Sequence, residues 1–266
     1  MEYRFLKLGE PGEVRWVFID RPVDRNSINT PLMAELTALL TDLEQDGTRA
    51  VVFAGQGGTH FIGGADGVEM MQCRPAEARD FSERIQALFD RLERSPLILV
   101  AAIEGLCFGG GFEFALACDL RVAANDARLG LPEVKVGLIP GGGGTQRLPA
   151  LVGLGRAMEM ILSGRLYKGD EAAREGLVHL AVEPGGLRAG VERLLAPILR
   201  QPQYALSLAK RAVYASRRPG GLDAESEWFS RCFERDYFAN LMRQQLRSGA
   251  LTTTADVSRL VREEES

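Results

Sequence analysis

Between Leu97 and Asp119 the chain reads LILVAAIEGLCFGGGFEFALACD, and one carboxylate, Glu113, stands in its apolar second half between Phe112 and Phe114. A carboxylate buried without a partner is costly, so a glutamate in such a setting is paired, exposed or functional. Glu133, in LPEV, follows Pro132 and precedes a valine-containing run. Two glutamates that met across a water could act as general base and general acid. They are 20 residues apart and therefore on different elements, and spacing alone leaves surface or structural carboxylates open. Beside them are two glycine turns, IGGADG (62–67) and FGGG (108–111), each following an apolar strand-like run. A strand, a glycine turn and a helix start leave backbone N–H groups bare at the positive end of a helix dipole. Two such turns could aim their N–H groups at one oxygen as an oxyanion hole, where a single donor stabilises a transition state by roughly 3–4 kcal/mol. They could equally be no more than tight turns.

Other chemistries fit poorly. The dinucleotide pattern GxGxxG fails at Phe114 and at Gln146, no GK[ST] stands for a P-loop, and no GxSxG stands for a serine elbow. The two histidines, His60 and His179, are far apart and give no metal pattern, so each is read as structural or surface. Cys73, Cys107, Cys118 and Cys232 lack CxxC spacing and are expected as reduced thiols of a cytoplasmic chain. A formal net charge of −4 favours neither nucleic acid nor an anionic membrane. No 18-residue apolar run calls for a membrane span, and MEYRFLKLGEPGE has neither the basic nor the apolar part of a secretory signal.

These groups need elements to hold them. With 45% hydrophobic and 26% charged residues the chain can bury a full-sized core. Strands are predicted over 3–8, 14–20, 50–54, 97–103 and 120–124, with one more at 178–182. Thr30 as N-cap and Pro31 open a helix whose Leu32, Leu36, Leu39, Leu40 and Leu43 share a face. A second amphipathic helix spans 76–94. Residues 55–67, with six glycines, and 129–149, with Gly141–Gly144 consecutive, read as loop and turn. Beyond Gly153 helices are predicted over 155–163, 171–175, 187–200, 203–217 and 222–248. Alternating strand and helix in the first half argues for parallel α/β layering. A boundary near residue 195 separates a core, 1–195, from a helical region, 196–266, and no internal repeat is visible.

Taken together, IDRPVDRNSIN (19–29), FIGGAD (61–66), GLCFGGGFEFALACDLRVA (105–123), LGLPEVKVGLIPGGGGTQRLP (129–149) and SGRLYKGDEAAREGLV (163–178) resemble the crotonase superfamily, the enoyl-CoA hydratase/isomerase group, over about residues 3–185. The resemblance implies an α/β fold of ββα units coiled into a spiral, with a helical C-terminal region that drives assembly into a trimer or a dimer of trimers. It implies an acyl-CoA thioester as substrate, so that coenzyme A arrives with the substrate and no separate cofactor is needed. Carried over by position, Ala65 and Gly110 would donate the N–H groups to the thioester oxygen. Glu113 and Glu133 would be the acid/base pair of a hydratase, and the Gly141 N–H would help hold the reacting water. Arg25, Gly63, Ala65, Asp66 and Gly67 would lie along coenzyme A. The expected reaction is hydration of a 2-enoyl-CoA or its reverse. The alternatives are another crotonase reaction, such as double-bond isomerisation or thioester hydrolysis, and a non-catalytic CoA-ester-binding protein. Gly63 and Gly67 depart from the commonest residues at their positions, and so does Phe112, where a small residue is usual and a ring would reshape the acyl pocket. The end of the chain, 245–266, lacks the usual Phe between basic residues.

Overall fold

The computed structural model describes residues 3–217 and 219–248. The chain divides after Ser207 into two compact units. The first begins with β1 (Leu6–Leu8), β2 (Val14–Ile19) and α1 (Thr30–Leu43). It continues through β3 (Ala50–Gly55), β4 (His60–Ile62), α2 (Gly67–Met71), α3 (Pro75–Arg94), β5 (Ile98–Ile103), β6 (Leu106–Phe108), α4 (Gly110–Ala117), β7 (Leu120–Ala124) and β8 (Arg128–Gly130). A 3-10 turn (Glu133–Val136) leads to α5 (Gly144–Val152), α6 (Leu154–Ser163), β9 (Tyr167–Lys168), α7 (Gly169–Arg174), β10 (Leu180–Val182) and α8 (Leu187–Leu199). Helix α9 (Gln203–Ala215) runs through the division. The second unit holds α10 (Gly221–Arg231) and α11 (Tyr237–Ser248), with Phe229, Phe233 and Phe238 meeting edge to face. Residues 249–266, which carry most of the unusual C-terminal end, lie outside the described residues.

Two sheets are formed, in the orders β1-β2-β3-β5-β7-β10 and β4-β6-β8-β9. Three times in succession a strand of the larger sheet is followed by one of the smaller: β3 then β4, β5 then β6, β7 then β8. After β4 and β6 the chain returns to the larger sheet through helix, and after β8 it passes through the 3-10 turn, α5, α6, β9 and α7 before it reaches β10. This is the expected strand–strand–helix coil, and the fold is α/β. The repetition lies in backbone path and not in residues, so the sequence shows none. Neighbours in the larger sheet pair in parallel except β1 with β2. A parallel sheet covered on both faces uses strands apolar on both sides. In β5, Leu99, Ala101 and Ile103 enter the main core while Ile98, Val100 and Ala102 pack in a second one with Val191 and Leu195 of α8.

Several sequence expectations need correction. The cap of α1 is Asn29, whose side chain accepts from Leu32 N–H, and Thr30 is already helical. Strand β4 lies inside the 55–67 segment read as loop. Strand β8, the 3-10 turn and the start of α5 lie inside the segment read as turn. The helix predicted over 222–248 is two helices separated by a 3-10 turn, Cys232–Glu234. The missed strands are two or three residues long and paired only with distant segments, so no local periodicity marks them.

Helix α4 packs on β4 with almost no gap: a Cβ added at Gly111 would lie 2.0 Å from the Ile62 carbonyl oxygen. No rotamer relieves a clash with backbone. Gly111→Ala is therefore expected to lower stability by about 1–3 kcal/mol, the usual cost of overpacking, read as a lower midpoint in urea unfolding.

Candidate active site

The FGGG turn ends β6 and starts α4. Gly109, at φ 52° and ψ −122°, is the residue before the helix, and its N–H donates to Gly130 O at 3.0 Å. Gly110 is the first helical residue, and a Cβ placed on it would lie 3.0 Å from Ala65 N. The other glycine turn, ending β4, is thus in contact with this one. Ala65 bridges Ile28 in parallel, held by Ile28 N–H to Gly64 O and Asp66 N–H to Ile28 O, both 2.8 Å. Among the described residues neither the Ala65 nor the Gly110 N–H has an acceptor. Two free donors therefore sit side by side, one of them at the positive end of α4.

Asp66 does two jobs in this turn. Its Oδ1 caps α2 by accepting from Val68 and Glu69 N–H, and its Oδ2 accepts from Arg21 at 3.0 Å. Arg21 is buried, and it also donates to Asp24 and Ser27 O. The structure thereby gives Asp66 a structural partner and a cap, which together hold its carboxyl below the usual range even though burial opposes this. Arg25 is exposed and left-handed at φ 57°. Its carbonyl accepts from Gly63 N–H at 2.9 Å, and a Cβ at Gly63 would come within 2.8 Å of that oxygen. This close approach is a physical reason for glycine at position 63. Gly67 opens α2 on the exposed surface. Arg25 and Gly63 are thus brought to the edge of the Ala65 turn. His60 and His179 take structural contacts, with Thr59 and with the Arg121 N–H.

Glu113 lies one turn into α4 and is 2% exposed. Its Oε1 accepts from Gly142 N–H at 2.8 Å and Gly144 N–H at 2.7 Å, while Oε2 takes no hydrogen bond among the described residues. The glycine run 141–144 is what permits this approach. A Cβ at Gly142 would meet Glu113 Oε2 at 2.7 Å, and one at Gly144 would meet Oε1 at 3.0 Å. The Gly141 carbonyl is tied to α3 by Ser82 (2.7 Å) and Gln86 (2.8 Å), and its N–H has no acceptor among the described residues. Burial pushes the Glu113 carboxyl above the ordinary range, against the pull of the two N–H groups and of Arg147. Glu133 opens the 3-10 turn, with Oε1 3.0 Å from where a Cβ on Gly109 would be. Its Oε2 is buried without a hydrogen-bond partner. Burial, and the charge of nearby Glu113, push Glu133 up to about 7, although its own backbone N–H pulls the other way. The charge of Glu113 is thus felt at Glu133, and burial favours the protonated form of both. The Phe112 ring is fully buried in the main core.

Ser82, Gln86, Arg21 and Arg147 were not singled out as site residues from sequence. Arg21 and Arg147 lie inside the quoted motifs, but the carboxylates that tie them to distant elements, Asp66 for Arg21 and Glu93 and Asp90 for Arg147, are 45 and 54–57 residues away.

The sequence model of the family described as Enoyl-CoA hydratase/isomerase matches residues 10–244. A short-chain-enoyl-CoA hydratase of Clostridium acetobutylicum is 37% identical over 240 residues, 89% of this chain and 92% of that one. A crotonyl-CoA hydratase of Syntrophomonas wolfei is 34% identical, covering 88% and 91%. The crystal structure of an enoyl-CoA hydratase from Bacillus anthracis superposes with a TM-score of 0.84 at 32% identity, covering 92% and 97%.

A carboxyl raised to about 7 in the folded chain and ordinary in the unfolded one makes stability fall as pH rises from about 4.5 through 7, where the native state gives up its proton last. Glu133→Gln removes that penalty. Its melting temperature relative to the parent is expected to change little at pH 5 and to rise at pH 8, followed by circular dichroism. An equal offset at both pH values would contradict the raised value.

Proposed function

The chain belongs to the enoyl-CoA hydratase/isomerase family of the crotonase superfamily, and from that premise we propose that it adds water across the double bond of a 2-enoyl-CoA, or removes it from a 3-hydroxyacyl-CoA, with Glu113 and Glu133 as the acid/base pair. It is a lyase of the enoyl-CoA hydratase type. The observation that carries the residue assignment is the pairing of a buried carboxyl, Glu113, whose Oε2 is unclaimed, with a half-buried one, Glu133, whose buried Oε2 has no hydrogen-bond partner, beside two adjacent N–H groups with no acceptor.

In the proposed step the thioester oxygen lies against the Ala65 and Gly110 N–H groups. Glu113 Oε2 takes a proton from a water, which the Gly141 N–H helps to hold. The water oxygen adds to Cβ, and the electron pair moves through Cα onto the thioester oxygen. The N–H pair stabilises that charge, with Gly110 aided by the helix dipole. Glu133 then gives its proton to Cα. The environments suit these roles: Glu113 has two donors and a cation favouring its ionised form, whereas Glu133 has an unpartnered oxygen and a neighbouring negative charge favouring its protonated form. Atoms and charge balance with water and the two glutamates, so no further cofactor is required. Arg25, Gly63, Asp66 and Gly67 would border coenzyme A along the Ala65 turn.

We also propose that copies of this chain associate. On α6, Leu154, Met158 and Leu162 form an exposed stripe, 69%, 53% and 68% accessible, and Val136 and Ile139 are exposed on the adjoining segment. Apolar groups in such a cluster favour a protein partner, and a trimer or dimer of trimers is the assembly the family resemblance implies. No helix among the described residues is long and apolar enough to cross a membrane. The described cysteines are all free, which supports a cytoplasmic setting.

Glu113→Gln and Glu133→Gln are each expected to lower turnover on short 2-enoyl-CoA esters by about 10²–10⁴-fold while CoA-ester binding persists by calorimetry. Hydration near the parental rate in both would sink the assignment. Product masses in ¹⁸O-water separate hydration, which places the label on Cβ, from isomerisation, which incorporates none, and from hydrolysis, which labels a carboxylate. Met158→Glu with Leu162→Glu is expected to reduce the mass in light scattering to that of one chain, and an unchanged mass would remove this stripe from the interface.

A further inference from the structure

Arg147, in the first half of α5, is buried, and its guanidinium is held on three sides. Nε donates to Glu93 at 2.6 Å and Nη2 to Asp90 at 3.0 Å, both on α3, and the ion lies 6.0 Å from the Phe89 ring centre. Nη1 donates to the Gly142 carbonyl at 2.9 Å. The Gly142 N–H is one of the two that hold Glu113 Oε1. One residue, Gly142, thus has the cation on its carbonyl and the carboxylate on its N–H. At Gly143, with φ 103°, a Cβ would lie 2.1 Å from Arg147 Nη1, so the guanidinium occupies the space that a side chain would need. Charge-assisted bonds of this kind are about twice as strong as neutral ones, and the guanidinium fork fixes direction as well as distance.

We propose that Arg147 is a positioning residue for Glu113: it locks the 141–144 loop onto α3 so that the Gly142 and Gly144 N–H groups meet Oε1, leaves Oε2 for the reacting water, and keeps the buried carboxylate ionised. This rests on the reading of Glu113 as the base. The elements packed against α4 also carry Asp90 and Glu93 on α3, His60 on β4, Cys107 on β6 and Arg121 on β7, with Glu133 on the 3-10 turn. Arg121 is committed to the carbonyls of Ala115, Cys118 and Leu177 near the far end of α4. Glu133, Asp90 and Glu93 are anionic when ionised and oppose a charge on Glu113. Arg147 is the cation that acts on it.

The test compares Arg147→Met and Arg147→Lys with the parent by two readouts. The first is the titration of Glu113 followed by carboxyl ¹³C NMR and assigned with Glu113→Gln. The second is the pH profile of kcat/KM. In Arg147→Met the Glu113 titration is expected to move up by about one pH unit or more, the effect of losing one nearby opposite charge. The acidic limb of the profile should move with it, and kcat at pH 7 should fall at least tenfold with KM little changed. Arg147→Lys, which keeps the charge without the fork, should restore most of the titration and only part of kcat. Because Arg147→Met takes one partner from Glu93, the same shift is measured between Glu93→Gln and Glu93→Gln/Arg147→Met, where neither variant holds that buried anion. An unchanged Glu113 titration in both comparisons overturns the proposal whatever happens to activity. Parental turnover in Glu113→Gln instead overturns the functional reading, while the titration still reports on Arg147.

Discussion

The structure depends on holding one carboxyl group, Glu113, in its interior on two backbone N–H donors. Removing such a group from water costs several kcal/mol even after relaxation. Two N–H donors from Gly142 and Gly144, at roughly 1.5–3 kcal/mol each for bonds to a charged group, offset a cost of that order without exceeding it by much. That near-balance is consistent with a carboxyl that stays above its ordinary range despite its partners. The requirement propagates outward. The donors must come from a loop with no side chains at 142 and 144, and Ser82, Gln86 and Arg147 tie the same loop to α3. Helix α3 in turn carries Asp90 and Glu93, which neutralise the buried guanidinium.

The second constraint is geometric. The crossings from larger to smaller sheet bring successive turns of the coil into register, so that the ends of β4 and β6 lie side by side. That placement puts Ala65 N next to Gly110. Parallel pairing fixes the height of each strand end, and Arg21 with Asp66 fixes the turn that follows β4. An oxygen received there meets donors that need no reorganisation, the property that makes such sites effective in catalysis. The Ile62 carbonyl leaves no room for a side chain at the adjoining Gly111, and Gly110 has little, so close backbone packing and the catalytic proposal share one short segment.

Much of this was legible beforehand, and the exceptions have physical causes. The strand–glycine–helix stretch around Gly110 was readable because an apolar run, a turn residue and a helical pattern occur in immediate succession. Glu113 stood out because its neighbours are apolar. Leucines 32, 36, 39, 40 and 43 marked the buried face of α1, and all are in the core. Asn29 was missed as the cap because Thr30 and Asn29 are both good capping residues, and only the bond to Leu32 N–H distinguishes them. Strands β4, β6, β8 and β9 were missed because two or three residues carry no period.

By itself the sequence determined which groups could react: two glutamates, two glycine turns, and motifs specific enough in combination to identify a family and with it the coiled α/β fold. It did so because residue type and local spacing are inherited directly by elements. Only the tertiary structure decided that Glu133 neighbours Glu113, that Oε1 of Glu113 is claimed while Oε2 is not, and that Arg147 lies behind the loop between them. Those outcomes depend on contacts across 20 to 57 residues of chain, and the burial that sets the two carboxyls apart exists only once the sheets and helices have closed around them.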